Sequence, residues 1–162
     1  MAIRILVVDD EEDVLSGMAL SLKLYGYAVV AVSSAIRALA ACEERCFDIV
    51  FIDFVIPPTN GLELLARIRK IQPSVRSVIL SGKILDRTAA EVMAVLEESV
   101  DADLYLTKPI EGEDLERAVV ELTSKDPPDD YQALARRMKK GRQATIKAAA
   151  AAAKLLRTDR SR

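Results

Sequence analysis

Hydrophobic and polar positions along this chain fall into blocks of two kinds. Ile3, Ile5, Leu6, Val7 and Val8 form a near-continuous apolar run, which stops at Asp9-Asp10-Glu11-Glu12-Asp13. A short run of this kind is the signature of a strand buried on both faces. Val14, Leu15, Met18, Leu22 and Tyr25 then recur at helical spacing and predict an amphipathic helix over 11–25, ended by Gly26. Tyr27 to Val32 reads as a second strand. Ser33 or Ser34 caps a second helix to about Arg45, with Ile36, Leu39, Ala40 and Cys42 or Cys46 inward. Residues 47–52 form a third strand that delivers Asp53 into a Pro57-Pro58 turn, with Thr59 and Asn60 as turn residues. Gly61 opens a helix carrying Leu62, Leu65, Ile68 and Ile71, and Pro73 breaks it. A fourth strand, Val75 to Leu80, ends in Ser81-Gly82; a helix follows over about 86–99. Leu104 to Thr107 is a fifth strand leading into Lys108-Pro109, and a last helix over 112–123 buries Leu115, Ala118, Val119 and Leu122.

Five apolar strands alternating with five helices predict an α/β fold with a doubly wound parallel sheet. Patterning alone does not fix the strand order. It does bring the residues after strands one, three, four and five to one edge: Asp9 and Asp10, Asp53, Ser81 and Lys108. In open α/β sheets this carboxyl edge is where ligands bind.

Composition narrows the choices. At 162 residues and 51% hydrophobic content there is room for one ordinary core and an appendage. No apolar run approaches a membrane span, and the N-terminus enters a strand pattern with no signal peptide, so a cytoplasmic location and no membrane partner are expected. The sequence contains no histidine, which excludes Ser-His-Asp and Cys-His catalysis and histidine metal sites. Any phosphohistidine must sit on a partner. Cys42 and Cys46 are too few for zinc and read as small core residues on one helix face.

The acids after the first strand repel phosphate where a dinucleotide-binding fold would place a glycine-rich loop. Glu11, Glu12 and Asp13 read as first-turn acids that suit a helix N-terminus. Asp9 and Asp10, with Asp53, form a carboxylate cluster that calls for a hard divalent cation, and Mg²⁺ suits a site completed by water and a phosphoryl group. Lys108 can hold a phosphoryl oxygen as a point charge and Ser81 can hydrogen-bond another. Asp53 is then placed as a carboxylate nucleophile toward phosphorus.

Residues 2–123 resemble the receiver domain of bacterial two-component response regulators. The matching motifs are Val8-Asp9-Asp10, the spacing Asp53 to Pro57 to Gly61, Leu80-Ser81-Gly82, and Tyr105-Leu106-Thr107-Lys108-Pro109. The resemblance implies a flavodoxin-like sheet of order 2-1-3-4-5 and a role as a signalling module, not an enzyme. It implies that Asp53 accepts a phosphoryl group from a histidine kinase or phosphotransfer protein. Asp9, Asp10, Asp53 and the backbone carbonyl of Val55 would hold Mg²⁺, Ser81 and Lys108 would hold the phosphoryl oxygens, and Ser81 and Tyr105 would form the switch toward a downstream protein partner. Ile56 replaces the usual Met, and the stretch from Ser81 to Lys108 is about five residues longer than common in the family. Val55 and Lys83 border the site; an apolar Val55 does not orient an attacking water, so a persistent phosphoryl group is expected. A haloacid-dehalogenase-type hydrolase would want its nucleophile after the first strand as Asp-x-Asp, whereas Asp9-Asp10-Glu11 stands there.

The charge is divided. Residues 1–125 carry thirteen Lys/Arg against twenty-one Asp/Glu, and residues 126–162 carry ten against four. The expected organisation is a receiver domain over 1–125 and a short linker plus a basic, alanine-rich helical tail over 126–162. Asp126-Pro127-Pro128 is a stiff linker. Tyr131, Leu134, Ala135 and Met138 form an apolar stripe, Gly141 interrupts it, and Ile146, Ala149, Ala153 and Leu156 resume it. A continuous helix over 129–157 would extend roughly 40 Å. Three uses stand open for this tail. They are a homodimer or partner contact, nucleic-acid binding through its cations as in a DNA-binding transcriptional regulator, or a solvated extension. A receiver-like module that binds partners without phosphate is a further alternative.

Overall fold

The computed structural model describes residues 2–82 and 102–124. In chain order the elements are β1 (Arg4–Val8), α1 (Glu12–Leu24), β2 (Ala28–Val32), α2 (Ala35–Glu44), β3 (Ile49–Asp53), β4 (Val55–Ile56), β5 (Thr59–Asn60), α3 (Gly61–Ile71), β6 (Arg76–Ser81), β7 (Leu104–Thr107) and α4 (Gly112–Thr123). The five longer strands form one parallel sheet of order β2-β1-β3-β6-β7, which is the expected order once the small β4-β5 hairpin is set aside. The sequence-predicted helix over 86–99 and the tail lie outside the described residues, as does Lys83. Among the described residues no helix is long and apolar enough to cross a membrane.

Alternation along the strands explains the two layers. Leu6, Val8, Val50 and Ile52 face Ala38 and Cys42 of α2 and Leu65 and Ile68 of α3. Ile5, Val7 and Phe51 face Leu15, Met18 and Leu22 of α1 and Leu115, Ala118 and Val119 of α4. Successive side chains of a strand point to opposite faces, so a strand covered on both sides is apolar throughout. All five residues of β3 are buried, whereas the edge strand β2 is half-exposed.

Helix starts follow their capping residues. Ser34 Oγ accepts the Arg37 N–H at 3.3 Å, and Asn60 Oδ1 accepts the Glu63 N–H at 2.9 Å. Asp114 Oδ2 accepts the Glu111 N–H at 3.1 Å at the start of α4. Thr59 and Asn60 do more than turn: they pair with Val55 and Ile56 across the two prolines, and Asn60 caps α3.

Two polar side chains, the buried Gln72 and the more exposed Asp103, stitch the lower half together. Gln72 Oε1 accepts the Phe47 N–H, and Gln72 Nε2 donates to the carbonyls of Cys42 and Arg45, each at 2.8 Å. This seals the turn between α2 and β3. Asp103 Oδ2 accepts the Ser77 N–H at 2.8 Å, the Ser77 hydroxyl at 3.0 Å and Arg69 Nη2 at 3.1 Å, tying β6 to the start of β7.

The face assigned to the second helix needs correction. Ile36 is 82% exposed and Ala40 is exposed, while Ala35, Ala38 and Cys42 are buried. Nearly every position from 35 to 42 is apolar, so periodicity does not orient this helix, and small residues let it approach the sheet closely. Cys46 lies beyond the helix end and is exposed; only Cys42 is a core residue. Tyr25 and Ile71, expected inward, are exposed where their helices end.

Candidate functional site

Register places the site before any side chain is considered. Val8 is level with Ile52 across β1 and β3, so Asp9 and Asp53 leave adjacent strands at the same height. Asp53 is in turn level with Leu80 on β6, and Ser81 with Thr107 on β7. The ladder runs one step further, with the Phe54 N–H donating to the Leu80 carbonyl and the Lys108 N–H to the Ser81 carbonyl, both at 2.8 Å. Asp9, Asp53, Ser81 and Lys108 therefore line the carboxyl edge of four neighbouring strands, each pair about 4.8 Å apart in the sheet direction.

Asp53 and Asp9 are buried, at 4% and 0% exposure, and Asp10 is exposed. One carboxylate oxygen from each of the three lies within 4.8 Å of the others, a spacing that one small cation can span. In the protein alone Lys108 compensates this charge. Its Nζ donates to Asp9 Oδ2 at 2.7 Å and Asp53 Oδ2 at 3.0 Å, with Glu11 Oε1 further off at 3.5 Å. The other oxygen of Asp53 accepts the Val55 N–H at 3.1 Å, and Asp9 Oδ1 accepts the Glu11 N–H at 2.9 Å. Burial, then the neighbouring Asp9 charge, push the Asp53 carboxyl up to about 6 against the opposing pull of Lys108. Burial pulls the Lys108 ammonium down, but its bonds and charge interactions with Asp9 and Asp53 together raise its pKa.

A tight backbone contact fixes the loop after Asp53. The Gly61 N–H donates to the Phe54 carbonyl at 2.9 Å, and a Cβ at Gly61 would collide with the Asp53 carbonyl oxygen. Gly61 is thus a positioning residue of the site. Its place at the start of a helix signalled a boundary and gave no hint of this contact.

The remaining sequence-predicted residues sit close by with other partners. Ser81 is 2% exposed, and its hydroxyl reaches the Leu106 carbonyl at 3.5 Å. Tyr105 is half-buried on β7, and its hydroxyl accepts the Ala102 N–H at 3.4 Å. Val55 donates its N–H to Asp53 and is partly buried beside it. Glu11, read as a helix-start acid, also faces Lys108.

Chemically, the edge offers a buried carboxylate bonded to a lysine ammonium and grouped with two further carboxylates. It suits an electrophile that is itself anionic and arrives with a metal, which describes a phosphoryl group.

Known proteins agree. The family model for the response regulator receiver domain matches residues 5–120. The alginate biosynthesis transcriptional regulatory protein AlgB of Pseudomonas aeruginosa is 36% identical over 115 residues, covering 71% of this chain and 24% of AlgB. The transcriptional regulatory protein GlrR of Escherichia coli K12 is 30% identical over 127 residues, covering 77% of this chain and 27% of GlrR. The chain thus spans about a quarter of the length of these two relatives. Among solved structures, a CheY-like receiver domain protein from Methanospirillum hungatei superposes with a TM-score of 0.62 at 26% identity, over 87% of this chain and all of that one. The sheet order, the acid-lined edge and the match over most of the described residues place this chain in the family of response regulator receiver domains.

Proposed function

We propose that Asp53 is the residue at which this receiver takes up a phosphoryl group. The observation that carries the reading is a buried carboxylate at the end of the central strand, 3.0 Å from the ammonium of Lys108 and beside two more carboxylates. A carboxylate oxygen of Asp53 attacks phosphorus, the bond from phosphorus to the donor's imidazole nitrogen breaks, and an acyl phosphate forms. With no histidine in this chain, the phosphohistidine belongs to a histidine kinase or a phosphotransfer protein. Lys108 exchanges its bond to Asp53 for one to a phosphoryl oxygen, and Ser81 turns from the Leu106 carbonyl toward another.

Asp9, Asp10, Asp53 and the Val55 carbonyl would hold Mg²⁺, and the oxygen-only donor set and its spacing fit that ion. When bound, Mg²⁺ neutralises charge on the transferring group. Rearrangement of Ser81 and Tyr105 then alters the surface around β7 that a downstream protein reads. We assign this role to residues 1–125, in the cytoplasm, with residues 126–162 as a separate linker and basic tail. The role is that of a signalling module, not of an enzyme that turns over substrate.

The test is intact mass after incubation with Mg²⁺ and acetyl phosphate. One phosphoryl adduct is expected in wild type and none in Asp53→Asn. Its decay should be slower than in Val55→Asn, because an apolar side chain at 55 does not orient water. An adduct that survives in Asp53→Asn, or no adduct from a folded protein, overturns the assignment.

A further inference from the structure

We infer that β2 is an interaction edge whose partner is a second copy of this chain, paired antiparallel about a two-fold axis at Val30. The sheet ends at β2, which pairs only with β1 among the described residues. The Ala28 N–H donates to the Ile3 carbonyl at 3.0 Å, and the Val32 carbonyl accepts the Asp9 N–H at 3.3 Å. The main-chain polar groups of a strand alternate sides from one residue to the next, so Ala28, Val30 and Val32 turn theirs toward β1. The N–H and C=O groups of Val29 and Ala31 point outward, and no main-chain bond among the described residues uses them.

Edge strands invite pairing, and proteins ordinarily guard them with lysine, proline, a bulge or a covering segment. This edge carries none of these among the described residues. From Leu24 to Ile36 no residue is charged and none is proline. β1 and β2 keep one register from Arg4 and Ala28 to Val8 and Val32, so no bulge turns the edge away. No residue of β2 is buried: Ala28 and Ala31 are exposed and the three valines partly so. The opposite edge strand, β7, buries Leu104 and Leu106. Apolar surface gathers in the same part of the chain. Among the described residues the large hydrophobic side chains more than half exposed are Leu20, Leu24 and Ile36, all on α1 and α2, the helices joined to β2.

Hydrogen-bond geometry and charge together select a second copy. A strand edge carries donors and acceptors in alternation, so it complements itself when turned through a two-fold axis. With the axis at Val30, Val29 faces the partner's Ala31 and Ala31 faces the partner's Val29. Each of these pairs exchanges two hydrogen bonds, and every outward group of Val29 and Ala31 is satisfied. An axis at Val29 would leave the Ala31 carbonyl without a donor, because the Tyr27 N–H is already given to the Leu22 carbonyl at 3.2 Å. An axis at Ala31 would set Val29 against the partner's Ser33, past the end of the strand. An uncharged edge has nothing to repel its own copy and nothing to recognise an acidic or basic partner. In the paired sheet the two carboxyl edges point to opposite ends, so both Asp53 sites stay open and the pairing does not depend on phosphoryl transfer.

The test joins register to assembly, in the full chain. Cys46→Ser first removes the exposed native thiol. In that background Val30→Cys sets two sulfurs across the axis at a non-hydrogen-bonded pair, about 4.5 Å between Cα atoms and within disulfide reach. Ala28→Cys sets them four positions apart along the strand, roughly 13 Å, and out of reach. Mild oxidation should give a linked dimer with Val30→Cys and several-fold less with Ala28→Cys, although position 28 is the more exposed. No link through position 30, equal yields or the reverse order would overturn the pairing. Sedimentation equilibrium should show wild type passing from monomer to dimer as its concentration rises toward about 1 mM. Ala31→Pro removes an outward N–H and spares the bonds to β1, while Ala31→Lys restores a charged guard. With circular dichroism unchanged, each should weaken the dimer by about tenfold or more. A wild type that is monomeric throughout overturns the inference and leaves the edge to an extended segment of another protein. A dimer indifferent to both variants overturns it too, by placing the contact on another surface.

Discussion

At the scale of single residues, the resting site is held in opposition to itself. Asp53 binds its proton more tightly in the folded protein, near 6, than an ordinary carboxyl near 4 does in the unfolded chain. Between those values the folded state carries the extra proton. Its stability therefore falls as pH rises from about 4 to 6, and the full penalty stands above 6. Asp53→Asn removes this penalty. In EDTA at pH 8 the variant should be more stable than wild type by about 2 kcal/mol in urea denaturation, with the difference shrinking toward pH 4. Saturating Mg²⁺ should close the gap at pH 8 by stabilising wild type alone. A wild type already as stable as the variant in EDTA would mean that Lys108 fully compensates the cluster. The opposite change, Lys108→Met, leaves Asp9 and Asp53 buried without their cation and should destabilise the metal-free protein by about 3 kcal/mol in the same measurement.

At the scale of elements, two helical glycines should answer the same substitution with opposite signs. Gly61 begins α3 against the Asp53 carbonyl, so Gly61→Ala must push apart the loop and the helix; overpacking of this kind costs about 1–3 kcal/mol. Among the described residues nothing lies within 4 Å of a Cβ at Gly17, so Gly17→Ala should add up to about 1 kcal/mol through helix propensity. Thermal unfolding of the two variants checks both signs, and Gly61→Ala should also weaken Mg²⁺ binding by displacing Asp53. Element boundaries were largely legible in the sequence because strands buried on both faces read as unbroken apolar runs. The face of α2 was not, since Ala35 through Cys42 offer little polar contrast. Gln72 and Asp103 were not either: their partners are backbone groups and residues 25 to 34 positions away, and no local pattern marks them.

At the scale of the whole molecule, stability follows position in the sheet. β3 lies between β1 and β6 and is wholly buried, while β2 has an open edge and half-exposed residues. Amide exchange should be slowest in β3 and its two neighbours and clearly faster in β2, with mass spectrometry of peptic fragments as the measurement. Equal protection across the sheet would mean that it opens only as a unit. The edge that gathers Asp9, Asp53, Ser81 and Lys108 was legible because strand ends can be read from the sequence and a parallel sheet aligns them. The way Lys108 bridges Asp9 and Asp53 was not legible, since it depends on register and on the depth to which each carboxylate is buried.

The Gly61 contact reaches beyond this one molecule. With Asp53 as the proposed phosphoacceptor, selection would act on it through signalling and on Gly61 through folding, because any side chain at Gly61 would strike the backbone of Asp53. The two positions are thus answerable to different losses. A duplicated gene relieved of its phosphoryl donor is free to change the aspartate while the glycine stays, so descendants of such a copy would keep the shape of the site after abandoning its chemistry.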